Sequence, residues 1–131
     1  MNTLKKITQL EDIKQLVDTF YRRVREDELL GPVFEEKIQE NWPRHLDIMY
    51  RFWQTLLLEE HTYYGSPFIK HIPLPIDAQH FARWLDLFHQ TVDELFAGEK
   101  AEEAKWRASR MAEMFEYKLN YLRRNSTKPL M

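Results

Sequence analysis

His61-Thr-Tyr-Tyr-Gly-Ser-Pro-Phe-Ile-Lys-His-Ile-Pro-Leu-Pro-Ile-Asp77 is the stretch of this 131-residue chain on which the reading of its fold turns. It holds Gly65, Pro67, Pro73 and Pro75, so no long regular helix crosses it. It is nonetheless aromatic and apolar, unlike a solvated loop. On both sides the apolar residues recur with the helical period. Upstream, from about Thr8 to Asp27, the repeating positions are Leu10, Ile13, Val17, Phe20, Tyr21 and Val24, and Thr8 with Glu11 fits a capping box. Leu29–Leu30–Gly31–Pro32 ends this helix, and Val33 to Ile38 reads as a short helical turn. A second helix starts near Asn41, a favourable N-cap, with Pro43 in its first turn. Its inner stripe is Trp42, His45, Met49, Phe52, Trp53 and Leu56.

Downstream, a third helix begins near Asp77, carries Phe81, Trp84, Leu85, Phe88, Val92, Leu95 and Phe96 on one face, and stops at Gly98. A fourth runs from about Lys100 to Arg123, with Ala101, Ala104, Ala108, Met111, Phe115, Leu119 and Leu122 as its stripe. Residues 125–131 read as a loose tail. The expectation is one all-α domain spanning residues 1–131, with its core at about 8–124.

Composition narrows the function classes. Apolar residues make up 44% and aromatic residues 14%, which argues against disorder. The net charge of −2 argues against duplex nucleic acid as the main partner. The absence of cysteine excludes disulfides, thiolate metal sites, iron–sulfur clusters and thioether attachment of a prosthetic group. No apolar run approaches the roughly 18 residues of a membrane span, and the first residues lack a signal-peptide core. A soluble protein of the cytoplasm is expected.

Polar residues on apolar faces are the informative exceptions, because burying them requires a partner. Tyr21, His45 and Trp84 stand out. Each reads either as a core residue with one hydrogen bond or as a group turned toward a ligand. His71 sits just ahead of Pro73 and Pro75, which stiffen the backbone around its imidazole. Neutral imidazole is the commonest metal ligand, and a hydrogen-bonded loop histidine is the competing reading. His61, His80 and His89 read as surface or helix-edge residues. Glu-x-x-His pairs, the His-Glu-x-x-His zinc motif, glycine-rich phosphate loops and nucleophile elbows are all missing.

Six motifs then follow one another: Phe20–Tyr21, Leu30-Gly-Pro-Val-Phe34, Trp42-x-x-His45, Phe52–Trp53, Tyr64-Gly-x-Pro67-x-x-Lys-His71-x-x-Leu-Pro75 and Phe81-x-x-Trp-Leu-x-Leu-Phe88. In this order and with these gaps the chain resembles the truncated hemoglobins, group III among them, from about Thr8 to Arg123. No Gly-Gly pair occurs, which sets it apart from groups I and II.

The resemblance implies a two-over-two helical sandwich around a non-covalent haem b. It implies His71 as proximal iron ligand, with Tyr21, His45 and Trp84 around the distal ligand. Tyr21 and Trp84 are then hydrogen-bond donors, and His45 a gate. Phe20, Phe34, Met49, Phe52, Trp53, Phe68 and Phe88 are the expected pocket wall, and Lys70, Tyr63 and Tyr64 the expected partners of the haem propionates. The implied function is binding of O2, NO or CO, in O2/NO chemistry or scavenging. Turnover as a NO dioxygenase or peroxidase would need an external reductase. A haem-free helical interaction module is the third alternative, and a monomer is expected.

Overall fold

The computed structural model describes residues 4–126 and contains six α-helices. They are α1 (Leu10–Glu26), α2 (Leu30–Ile38), α3 (Trp42–Leu58), α4 (Pro67–His71), α5 (Ala78–Leu95) and α6 (Glu99–Ser126), with a 3-10 turn at Gln39–Asn41 leading into α3. α1 packs on α3, α5 packs on α6, and the two pairs meet through α1 and α5. This is the all-α arrangement of two packed helix pairs that the sequence leads one to expect. Among the described residues no helix is long and apolar enough to cross a membrane.

The periodic stripes form the core. Ile13, Leu16, Val17, Phe20 and Val24 of α1 meet Phe52, Trp53 and Leu57 of α3 and Phe88 and Val92 of α5. On α6, Ala101, Ala104 and Ala108 are buried, and their small side chains let α5 approach closely. Leu57 rather than Leu56 is the fully buried residue at the end of the α3 stripe. Some apolar residues stay outside: Ile69, Trp106, Met114 and Leu122 are exposed, Leu122 although it continues the α6 stripe.

Element ends differ from the sequence reading in physical detail. The carboxylate of Asp12, not Glu11, caps α1, accepting the backbone N–H groups of Thr8 (2.9 Å) and Gln9 (3.2 Å). Leu30–Gly31–Pro32 is the first turn of α2 rather than a terminator. Asp27 takes the N–H groups of Leu29 (3.0 Å) and Leu30 (2.9 Å), and Arg83 of α5 binds its other oxygen at 2.8 Å. Gly31 is required at this corner, since a Cβ there would lie 2.7 Å from the Arg25 carbonyl oxygen. α5 stops at Leu95, before Gly98. Phe96 is extended and buried, and the Ala97 N–H bonds the Lys5 carbonyl at 2.9 Å. α6 carries on through Asn125 and Ser126, which were expected in the tail; residues 127–131 lie outside the described residues.

Candidate functional site

The Pro-rich stretch cannot continue α3, so the chain leaves the helix, forms only the five-residue α4, and returns as α5. Between α4 and the α1–α2–α3 side it encloses a cavity of about 370 Å³. Interiors hold few voids larger than a water molecule, so a space of this size is a candidate ligand site. Most of its lining is apolar: Leu30, Val33 and Phe34 from α2, Ile48, Met49, Phe52 and Trp53 from α3, Phe81 from α5, and Met111 and Phe115 from α6.

His71 is the last residue of α4 and lines this cavity. Its Nδ1 lies 2.6 Å from the Pro67 carbonyl oxygen. A carbonyl only accepts, so Nδ1 carries the proton and Nε2 presents its lone pair. Burial holds the imidazole below its ordinary pKa, partly offset by the Pro67 carbonyl, so the ring is neutral and able to ligate a metal.

Tyr21, His45 and Trp84, from three different helices, line the same cavity. The Tyr21 ring stands edge-on to His45, with centroids 5.0 Å apart and planes at 89°. Burial pushes the phenol pKa far up, so its hydroxyl remains a donor, and among the described residues it has no hydrogen-bond partner. His45 Nε2 is buried and also without a partner. Desolvation first, then the positive charge of Lys70 and the repulsion a protonated His71 would add, bring the His45 pKa down to about 4. A buried polar atom without a partner costs about 1–3 kcal/mol, and a hydrogen-bonding ligand in the cavity would offset that. Trp84 stacks on Phe88 at 5.6 Å and 6° and stands edge-on to Phe20.

Of the expected wall, Phe34, Met49, Phe52 and Trp53 do line the cavity; Tyr63 and Lys70 do as well. Four expected residues lie elsewhere. Phe20 and Phe88 sit one layer behind, holding Tyr21, Trp84 and Trp53 from the core. Phe68 packs on Phe115 beneath Lys118, away from the cavity, because α4 turns His71 inward instead. Tyr64 is 85% exposed, and its hydroxyl donates to the His61 carbonyl.

Besides Asn41, read only as an N-cap, three polar lining residues escaped the sequence reading: Lys37, Arg44 and His80. Lys37 follows Phe34 by one helical turn, Arg44 adjoins His45, and His80 precedes Trp84 by four residues; these spacings were the available signal. Lys37, Arg44 and Lys70 are exposed at the cavity edge and form no ion pair or hydrogen bond among the described residues.

A family profile described as bacterial-like globin matches residues 2–117. The group 3 truncated hemoglobin ctb of Campylobacter jejuni is 36% identical over 110 residues, covering 81% of this chain and 87% of that protein. The group 2 truncated hemoglobin YjbI of Bacillus subtilis is 32% identical over 89 residues, 65% of each chain. The crystal structure of a group III truncated hemoglobin from Campylobacter jejuni superposes with a TM-score of 0.80 at 33% identity, covering 89% of this chain and 95% of that one. With the fold, the cavity and these likenesses in agreement, the chain belongs to the bacterial-like globins and, within them, to the group III truncated hemoglobins.

Proposed function

We propose that this globin binds haem b non-covalently through His71 and captures O2, NO or CO beside Tyr21, His45 and Trp84. One observation carries the reading. A single cavity holds an imidazole with Nδ1 tied and Nε2 free, and also a phenol and a second imidazole whose polar atoms have no partner among the described residues.

The residues present fit the prosthetic group. The apolar lining suits the faces of a macrocycle. The cationic side chains of Lys37, Arg44 and Lys70 at the edge suit two carboxylates. Tyr63 remains a candidate for the same role, and the exposed Tyr64 is the weakest. When bound, haem supplies an iron with one coordination position for a diatomic ligand.

The chain's own groups do the rest. Tyr21, held protonated by burial, donates its hydroxyl proton to a partly charged ligand, and the Trp84 indole N–H is the second donor. Each such bond in a dry pocket contributes about 1.5–3 kcal/mol, and two slow ligand release by several powers of ten. Long retention suits O2/NO chemistry or scavenging better than delivery. It also favours a second reading, turnover of NO or peroxide with electrons from an external reductase. His45 swings to admit ligand. The protein is read as a cytoplasmic monomer.

The test is an absorption spectrum of the purified protein in the ferric, dithionite-reduced and CO-treated states. A Soret band that shifts on reduction and again with CO is expected. A protein that stays colourless after haem titration overturns the proposal.

A further inference from the structure

We propose that His80, positioned by Asp77, is the acid–base group of the cavity, taking the proton from a weak-acid ligand that enters neutral and binds as its anion. This rests on the haem reading above.

Three histidines line the cavity: His45, His71 and His80. In that reading His71 is committed to iron. His45 is a poor proton acceptor, because burial and the neighbouring Lys70 and His71 disfavour its cation. His80 is held differently. Its Nδ1 lies 2.9 Å from Asp77 Oδ1, a carboxylate contact that orients the ring. Its own side chain is 15% exposed whereas that of Asp77 is 66% exposed, so the pair reaches from the cavity to water. The His80 contact holds the Asp77 carboxyl below its ordinary range, which keeps it ionised.

Nδ1 of His80 is also 3.2 Å from the Asp77 backbone N–H. One ring nitrogen cannot serve both partners at once. Protonated, it donates to the carboxylate; bare, it accepts from the amide. The two tautomers therefore share one arrangement of heavy atoms. A ligand H–X gives its proton to Nε2, and X⁻ remains in the cavity. The imidazolium then loses its Nδ1 proton to water at the exposed Asp77 end, leaving the Nε2–H tautomer that accepts from the amide. The reverse sequence delivers a proton inward.

The pair also closes a capping box at the start of α5: Asp77 Oδ1 accepts the Gln79 N–H at 3.0 Å, and His80 Nδ1 faces the Asp77 N–H. The same histidine lines the cavity, which a cap by itself does not require. The other titratable groups on the lining are Tyr21, Lys37, Arg44, His45, Tyr63, Lys70 and His71, with no carboxylate among them.

The test uses the holoprotein at neutral pH, with cyanide as the protic probe for the ferric state and CO as the aprotic probe for the ferrous state. The ratio of cyanide to CO association rates should fall by about tenfold or more in His80→Gln, and less in Asp77→Asn, which keeps the capping oxygen. In the apoprotein, ¹⁵N NMR should show the His80 Nδ1–H tautomer in the wild type and a shift toward Nε2–H in Asp77→Asn. If wild type fails to bind CO, the haem reading and this proposal fall together. If CO binds and the ratio is unchanged in both variants, or both rates drop in parallel, this proposal alone is overturned.

Discussion

The Nδ1 of His71 and the carbonyl oxygen of Pro67, its residue four places earlier, stand 2.6 Å apart across the single turn of α4. The acceptor belongs to the backbone, so no side-chain change in the pocket removes it. The contact selects one tautomer and one ring orientation, the service that an outer partner performs for a metal-ligating histidine.

His71→Ala should therefore abolish stoichiometric haem binding, or else its five-coordinate spectrum. Haem content by pyridine hemochromogen assay, together with the ferrous spectrum, checks this. Normal content with unchanged bands would show that His71 is not the ligand.

Tyr21→Phe keeps the ring contacts to Phe20 and His45 while removing the hydroxyl. Losing one donor worth about 1.5–3 kcal/mol predicts O2 release at least tenfold faster. Stopped-flow O2 displacement measures it, and an unchanged rate would mean that Tyr21 only packs.

His45→Leu should change the association rates of CO and O2 more than their dissociation rates, read by flash photolysis. A pH effect follows as well. The unfolded chain protonates this histidine near 6.5, whereas the folded apoprotein resists until about 4. The unfolded state thus binds more protons in that window, and apoprotein stability falls as pH drops through it. Thermal melts of the apoprotein between those two values should show a shallower slope in His45→Leu. On-rates and melting slopes that match wild type would contradict both the gate and the depressed pKa.

Phe88 lies between Trp53, stacked at 4.9 Å and 18°, and Trp84, stacked at 5.6 Å and 6°. It is 1% exposed. Phe88→Ala should cost about 3–5 kcal/mol by removing a large buried side chain, and should leave Trp84 without its backing. Urea unfolding of the apoprotein with tryptophan fluorescence gives the value; a loss under about 1 kcal/mol would mean the stack collapses without cost.

Much of this was legible along the chain. The 3.6-residue recurrence places α1, α3, α5 and α6, because a helix that must bury one face repeats its apolar residues at that period. The prolines around His71 mark the interruption because proline lacks the N–H that a continuing helix needs. Tyr21 and His45 announce themselves as polar groups on apolar faces. The failures occur where neighbours in sequence face different surroundings. Phe20 and Tyr21 are adjacent, yet the first is turned to α5 and the second to the cavity. Phe68 and His71 share one short helix, and only the second lines the cavity.

By itself the sequence determined the helices, their apolar faces and the one histidine held among prolines, since these depend on local period and on backbone chemistry. Only the tertiary structure decided which residues meet. Lys37, Arg44 and His80 become part of the site through the docking of α2, α3 and α5 around a shared cavity, and Phe88 becomes a support rather than a wall. Those outcomes depend on the rotation of each helix against its neighbours. Long-range packing sets that rotation, and the periodicity of a single helix does not specify it.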